Sequence, residues 1–327
     1  LITKRDMVND MRKRRIVIIG GGTGLPVILR VLRKHYLDIT AVITVGDDGG
    51  SSGKIRKQID VIPPGDIRNA LSALSESESS IARVFQYRFQ NEGELKGHVV
   101  GNLLLAALAD MHGDALEAIA DLSNILNVKG VVLPATTIPL QLQAKMTDGS
   151  VVVGESNIPK VRKPIEQLEI VPDDARASQR VVDAIKEADL IAFGPGSLYT
   201  SILPNLLVHD IAQAVISSKA QKVYVCNILT QLGETEGFSD ADHVRILHEH
   251  VGEKFIDHVL VNEKTVAPAL IFPEGVTQVD SNIKGMEDQE VAPIFDDYLD
   301  TSDGFVRHDA ERVVERLIAL IDKSRHS

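Results

Sequence analysis

Residues 16–26 read IVIIGGGTGLP: four β-branched apolar residues, three glycines, a threonine, a fourth glycine and then Leu25-Pro26. A short apolar run bounded by glycine predicts a buried strand. Helical periodicity over 25–34 follows, with Pro26 in the first turn, where a helix has no use for its N–H. Residues 39–45, ITAVITV, supply a second β-branched strand. Strand, glycine turn, helix, strand is a βαβ unit, whose two strands run parallel.

Outward from this unit, helical patterns cover 66–74, 81–89, 101–111, 115–126, 175–187, 211–218, 241–250 and 311–321. Strand patterns cover 131–133, 165–171, 190–193, 222–228 and 258–262. The turn Thr147-Asp148-Gly149-Ser150 between 140–146 and 151–154 is a hairpin signal. The pattern predicts one α/β domain over 15–323. Its fold is a Rossmann-like, doubly wound, mainly parallel sheet with helical and β-hairpin insertions, the latter at roughly 134–172. Residues 46–53 and 75–80 read as loops, and 1–14 as a basic, solvated N-terminal tail.

The 327 residues are 44% hydrophobic and 25% charged, an ordinary globular balance. A net charge of −11 leaves no broad basic face for nucleic acid, and 4% aromatic residues with no Trp disfavour a base-stacking platform. No apolar run approaches the ~20 residues of a membrane span. Residues 1–15 lack the apolar middle of a secretion signal. The single cysteine, Cys226, lies in an apolar run and reads as a small buried hydrophobe, so a reducing cytoplasm is the expected location.

Chemistry collects at strand ends. The turn containing Gly21, Gly22, Thr23 and Gly24 offers close-approach backbone N–H groups and a helix N-terminus to a phosphate. It matches neither G-x-G-x-x-G nor a Walker loop. The second strand leads into VGDDGGSSG, residues 45–53. There Asp47 or Asp48 can accept from a ribose hydroxyl or bind Mg²⁺, and Ser51 adds a hydroxyl. In PPGDIRN, residues 63–69, Gly65 makes a stiff turn, Asp66 is either a helix cap or a site residue, and Arg68 and Asn69 suit an anion. GHVVGN, residues 97–102, holds Gly97, Gly101, His98 as general acid–base or structural residue, and Asn102 as a cap or a sugar or base ligand. FGPGSLYTSILPN, residues 193–205, repeats the glycine-turn logic through Gly194, Gly196 and Ser197. CNILTQ, residues 226–231, places Asn227, Thr230 and Gln231 at another strand end. His243, His248 and His250 lack zinc-helix spacing.

In this order, GGGTGLP, VGDDGGSSGKIR, PPGDIRN, GHVVGN, FGPGSLYTSILPNL and CNILTQ resemble the bacterial gluconeogenesis factor family (YvcK-like), related to 2-phospho-L-lactate transferase. The likeness spans about residues 15–321. It implies a Rossmann-like fold, a cytoplasmic location, a role in growth on gluconeogenic carbon sources and support of cell shape and envelope synthesis. It implies a UDP-sugar or NAD-type nucleotide as ligand. By analogy Gly21, Gly22, Thr23 and Gly24 hold the pyrophosphate, with Asp47, Asp48 and Ser51 in the same cleft. Gly65, Asp66, Arg68 and Asn69 flank it, Gly97, His98 and Asn102 bound its far side, and Gly194, Gly196, Ser197 and Asn227 stand opposite. A homodimer, and unidentified protein partners in envelope synthesis or carbon metabolism, are further expectations. PPGDIRN and Leu232 depart from the pattern of the relatives, the former from the transferase branch. Three readings follow: a non-catalytic regulator that binds a nucleotide sugar of the UDP-N-acetylglucosamine type; a Mg²⁺-dependent phosphoryl or nucleotidyl transferase using Asp47 and Asp48; and a nicotinamide-dependent oxidoreductase.

Overall fold

The computed structural model describes residues 12–76, 80–267 and 272–326. Residues 1–11 of the expected tail and 77–79 of the expected loop lie outside them.

Seven parallel strands form the central sheet in the order β10-β9-β8-β7-β1-β2-β3. They are β1 (Arg14–Gly20), β2 (Leu37–Ile43), β3 (Val131–Pro134), β7 (Leu190–Phe193), β8 (Gln221–Val225), β9 (His258–Asn262) and β10 (Ala292–Asp296). β1 is the axis. Ile16, Val17, Ile18 and Ile19 are each at most 2% exposed, because helices cover both faces of the sheet. That is why the run shows no apolar–polar alternation. The chain winds from β1 through β2 to β3 on one side and places β7 to β10 on the other. The strand order therefore reverses between β1 and β7, and loops at the carboxyl ends of these two strands diverge to leave a crevice.

The insertion is a separate antiparallel sheet, β5-β4-β6, built from β4 (Gln141–Met146), β5 (Val151–Val153) and β6 (Ile165–Val171). Leu142, Ala144 and Met146 are buried while Gln141, Lys145 and Thr147 are exposed, the two-residue period of a one-sided sheet. A short hairpin, β11 (Leu299–Asp300) with β12 (Arg307–His308), precedes the closing helix Ala310–His326.

Several details differ from the sequence reading. Arg14 already belongs to β1, and Arg12 pairs with Asp189 at 2.8 Å, so the tail ends earlier than residue 14. Part of the loop 46–53 is helical: Gly50–Arg56 forms a helix despite two glycines and two serines, because burial of Ile55 and the bond from Arg56 to Leu140 O (2.6 Å) outweigh weak propensity. β10 escaped the pattern, being a short strand with partly exposed side chains at the sheet edge. The run 222–228 leaves the sheet at Val225, and the helix expected over 175–187 starts at Gln179. Among the described residues no helix is long and apolar enough to cross a membrane.

Candidate functional site

The turn after β1 is held from both sides. Gly22 takes φ +67°, open to glycine at little cost, and its N–H donates to Asp66 Oδ2 at 2.8 Å. A Cβ on Gly21 would stand 2.5 Å from Thr44 Cγ2 and 2.7 Å from Asp66 Oδ2; one on Gly24 would stand 2.9 Å from Pro195 O. The turn is thus clamped between Asp66 and the turn after β7. Asp66 does not cap its helix. The N-cap of Pro64–Leu74 is Pro63, without a side-chain bond, and Asp66 gives its carboxylate to Gly22 instead. The Gly22 amide is therefore already satisfied, and Thr23, exposed at the tip, faces the crevice. Burial pushes the Asp66 carboxyl up to about 6, with Asp47 adding to it, against the Gly22 N–H, Arg68 and Asn69.

The loop after β2 sends its two carboxylates in different directions. Asp47 accepts from Gly49 N–H at 2.9 Å, and its Oδ2 lies 2.8 Å from where a Cβ on Gly65 would be. Asp48 accepts from Ser156 N–H at 2.9 Å, tying the loop to the insertion. Among the described residues no three His, Cys, Asp or Glu side chains are placed to hold a metal ion. Ser51 and His98 are buried and meet at 3.2 Å, Oγ to Nδ1. The Arg68 guanidinium donates to Gln86 and Asn69, and burial, with Arg88 nearby, lowers it to about 10. Asn102 is no cap either: the N-cap of Val100–His112 is Val99, and Asn102 sits inside the first turn with a buried Oδ1 that has no partner. Gly97 has φ +82° with open space where a Cβ would point.

A cleft of about 650 Å³ opens at the carboxyl ends of β1, β7 and β8. Gly22, Thr23 and Gly24 form one wall, Pro195, Gly196 and Ser197 the next, and Asn227, Thr230 and Gln231 a third. Of the residues singled out from sequence, Gly22, Thr23, Gly24, Gly196, Ser197, Asn227, Thr230 and Gln231 line it. Gly21 and Gly194 hold the walls from behind. Asp47, Asp48, Ser51, Gly65, Asp66, Arg68, Asn69, Gly97, His98 and Asn102 do not line it. They make a second group beside it, joined through the Gly22–Asp66 bond and the Asp47–Gly65 contact.

Two acidic lining residues, Glu234 and Glu155, were not singled out from sequence. Glu234 accepts from Ser197 Oγ and lies 3.5 Å from Thr200 Oγ1, while Ser197 Oγ also accepts from Thr200 N–H at 3.0 Å. Burial raises Glu234, and the Ser197 hydroxyl opposes that rise. Glu155 comes from the insertion. Burial and then Asp47, Asp48, Asp66 and Glu234 push it up to about 8. The β11–β12 hairpin closes the rim, with His308 Nε2 3.0 Å from Cys226 O. Cys226 itself is buried and burial pushes its thiol up, which fits a packing role.

With this geometry in place, the profile of the 2-phospho-L-lactate transferase CofD family matches residues 16–299. A gluconeogenesis factor of Listeria monocytogenes is 54% identical over 94% of this chain and 96% of its own length. The gluconeogenesis factor of Bacillus subtilis strain 168 is 44% identical over 95% and 99%. A crystal structure of a UPF0052 family member from Bacillus halodurans superposes with a TM-score of 0.91 at 42% identity, covering 94% of this chain and 99% of that one.

Proposed function

The chain belongs to the CofD family and, within it, to the gluconeogenesis factors, and on that premise we propose that it binds a nucleotide sugar of the UDP-N-acetylglucosamine type and acts as a regulator rather than as an enzyme. The observation that carries this reading is the cleft, where the glycine turn 22–24 converges with the turns 195–197 and 227–231 at the switch point of a parallel sheet. Its volume of about 650 Å³ suits a ligand of nucleotide-sugar size. Thr23, Asn227 and the backbone of the turn 22–24 supply polar partners for phosphates and hydroxyls. Ser197 is committed to Glu234 and to capping its own turn, which makes it a structural hydroxyl. The name shared by the relatives supports a role during growth on gluconeogenic carbon sources, and envelope synthesis and cell shape are the processes the ligand would report on.

The transferase reading draws on the carboxylates at 47, 48 and 155 beside the cleft and on the chemistry named for the family profile. A thermal-shift series separates the two. The purified protein is heated with UDP-N-acetylglucosamine, UDP-glucose, NAD, NADP, GTP and 2-phospholactate, each with and without Mg²⁺. A ligand at 100 times its Kd stabilises by about 2.7 kcal/mol, a rise of several degrees. A shift with UDP-sugars independent of Mg²⁺ is expected. A Mg²⁺-dependent shift with GTP or 2-phospholactate alone overturns the regulator reading in favour of transfer.

A further inference from the structure

We propose that His250 is an acid-sensitive latch: its neutral imidazole holds the insertion sheet to the core by accepting the Leu168 N–H at the open edge of β6, and a proton on that nitrogen releases the edge. His250 stands in the last turn of the helix Asp240–Val251, half-buried. Its Nδ1 lies 2.8 Å from Ile246 O, and its Nε2 lies 3.1 Å from the Leu168 nitrogen. A carbonyl can only accept and a backbone amide can only donate. The two partners therefore fix one tautomer, with the hydrogen on Nδ1 and the lone pair on Nε2. β6 is an outer strand of its sheet, and Leu168, opposite Ala144 of β4, turns its N–H away from that neighbour. Leu168 is 1% exposed, so the imidazole takes the place that water holds at an exposed edge.

The latch acts on a part of the cleft's frame. The insertion contributes Glu155, Ser156 and Pro159 to the cleft wall. There it is wedged against the core: a Cβ on Gly233 would stand 1.9 Å from Pro159 O, and the Ser156 N–H is fixed on Asp48. The Tyr199 ring meets the imidazole edge-on, with 6.1 Å between centroids, and Tyr199 follows the cleft-lining Ser197 by two residues. Protonation at Nε2 would turn a hydrogen toward the Leu168 hydrogen, while the Nδ1–H bond to Ile246 survives, so the loss falls on the insertion. Burial keeps His250 below its ordinary value, against the Ile246 bond and Glu249. Around it, Glu249 is paired with Arg245 at 3.0 Å, Glu166 of β6 is paired with Lys145 at 2.9 Å, Glu169 is exposed, and burial raises the Tyr199 hydroxyl. The helix Leu203–Leu206, which packs on β6, has no titratable side chain. The latched state thus holds fewer protons than the released one, so it is fully favoured above the ordinary histidine value and weakens as pH falls below about 6.5. His248, two residues earlier, makes the same pair of bonds, to Gln289 Oε1 at 3.0 Å and from Ile256 N–H at 3.2 Å, but neither partner belongs to the insertion.

The test is hydrogen–deuterium exchange of the full chain, read by mass spectrometry at pH 7.5, 6.5 and 5.5 and corrected for the intrinsic pH dependence of exchange, for the wild type and His250→Gln. The glutamine brings an amide oxygen to accept from Leu168 and does not titrate. In the wild type the opening constant of the peptide 165–171 is expected to rise about tenfold between pH 7.5 and 5.5. In His250→Gln it is expected to stay constant across that range. Equal rises in the two proteins overturn the proposal by assigning the effect to another group, His248 included. A rise under about twofold in the wild type overturns it as well. Should His250→Gln fail to fold, NMR of the ring nitrogens in the wild type at pH 7.5 decides the matter. A hydrogen on Nδ1 and a bare Nε2 are expected there, and a hydrogen on Nε2 overturns the latch.

Discussion

Asp66→Asn is expected to stabilise the protein at neutral pH and to do so less in acid. In the wild type the Asp66 carboxyl is raised from its ordinary 3.8 to about 6, so between those values the native state holds more protons than the unfolded chain. Stability therefore falls as pH rises through that window, and the full handicap is present above pH 6. The displacement is a little over a hundredfold in the ionisation constant, which is about 3 kcal/mol. Asparagine keeps an oxygen for the Gly22 N–H and carries no charge, so it removes the handicap without orphaning the amide. Urea unfolding at pH 4.5, 5.5, 6.5 and 7.5 reads the difference directly. The variant should gain about 1 kcal/mol at pH 4.5 and about 3 kcal/mol at pH 7.5. Asp66→Ala supplies the contrast, because it leaves the amide unpaired at a cost of about 1–3 kcal/mol. A gain that does not grow with pH, or a loss at pH 7.5, would refute the view that this carboxyl clamps the glycine turn against its own ionisation.

Other outcomes follow from the same geometry. Gly233→Ala combines φ +75° with a contact of 1.9 Å to Pro159 O, so it should destabilise by about 3 kcal/mol or more in urea; a loss under 1 kcal/mol would mean the insertion is not wedged there. Ser197→Ala deprives Glu234 of its hydroxyl donor and the following turn of its cap, and should cost about 1–3 kcal/mol. Because the loss drives Glu234 still higher, the deficit should be larger at pH 8 than at pH 5, and a melt comparison at the two values checks the sign. Thr23→Val with Asp48→Ala should abolish UDP-N-acetylglucosamine binding in a calorimetric titration while the cooperative melt persists; unchanged affinity would remove the glycine turn from the site.

The fold was legible where burial is total. β1, β2 and β7 announce themselves as apolar runs closed by glycine, and the hairpin at 147–150 by its turn residues. The sheet edge was not: β10 has no fully buried side chain, so its pattern merges with the charged residues around it. Within the site, glycines were readable because close approach and positive φ exclude other residues, as at Gly21 and Gly22. Side-chain roles were harder. Asp66 and Asn102 stand where caps are common, yet the third dimension gives one a backbone amide from a distant turn and buries the other inside a helix. Glu155 carried no signal at all, because a glutamate after a hairpin normally faces water, and only the packing of the insertion against Asp48 and Gly233 turns it inward.

The position of β1 between β2 and β7 sets a timetable for synthesis. Its pairing with β2 becomes available as soon as the first βαβ unit leaves the ribosome, but its other edge waits for Leu190–Phe193, more than half a chain length later. During that interval a strongly apolar strand has one row of amides and carbonyls unmatched, the condition under which nascent chains pair with the wrong neighbour. The glycine turn 20–24 meets its opposite wall 194–197 only when β7 docks. A ligand can therefore reward completion of the fold but cannot steady the half-made chain, which leaves that edge of the emerging N-terminal half open until β7 arrives.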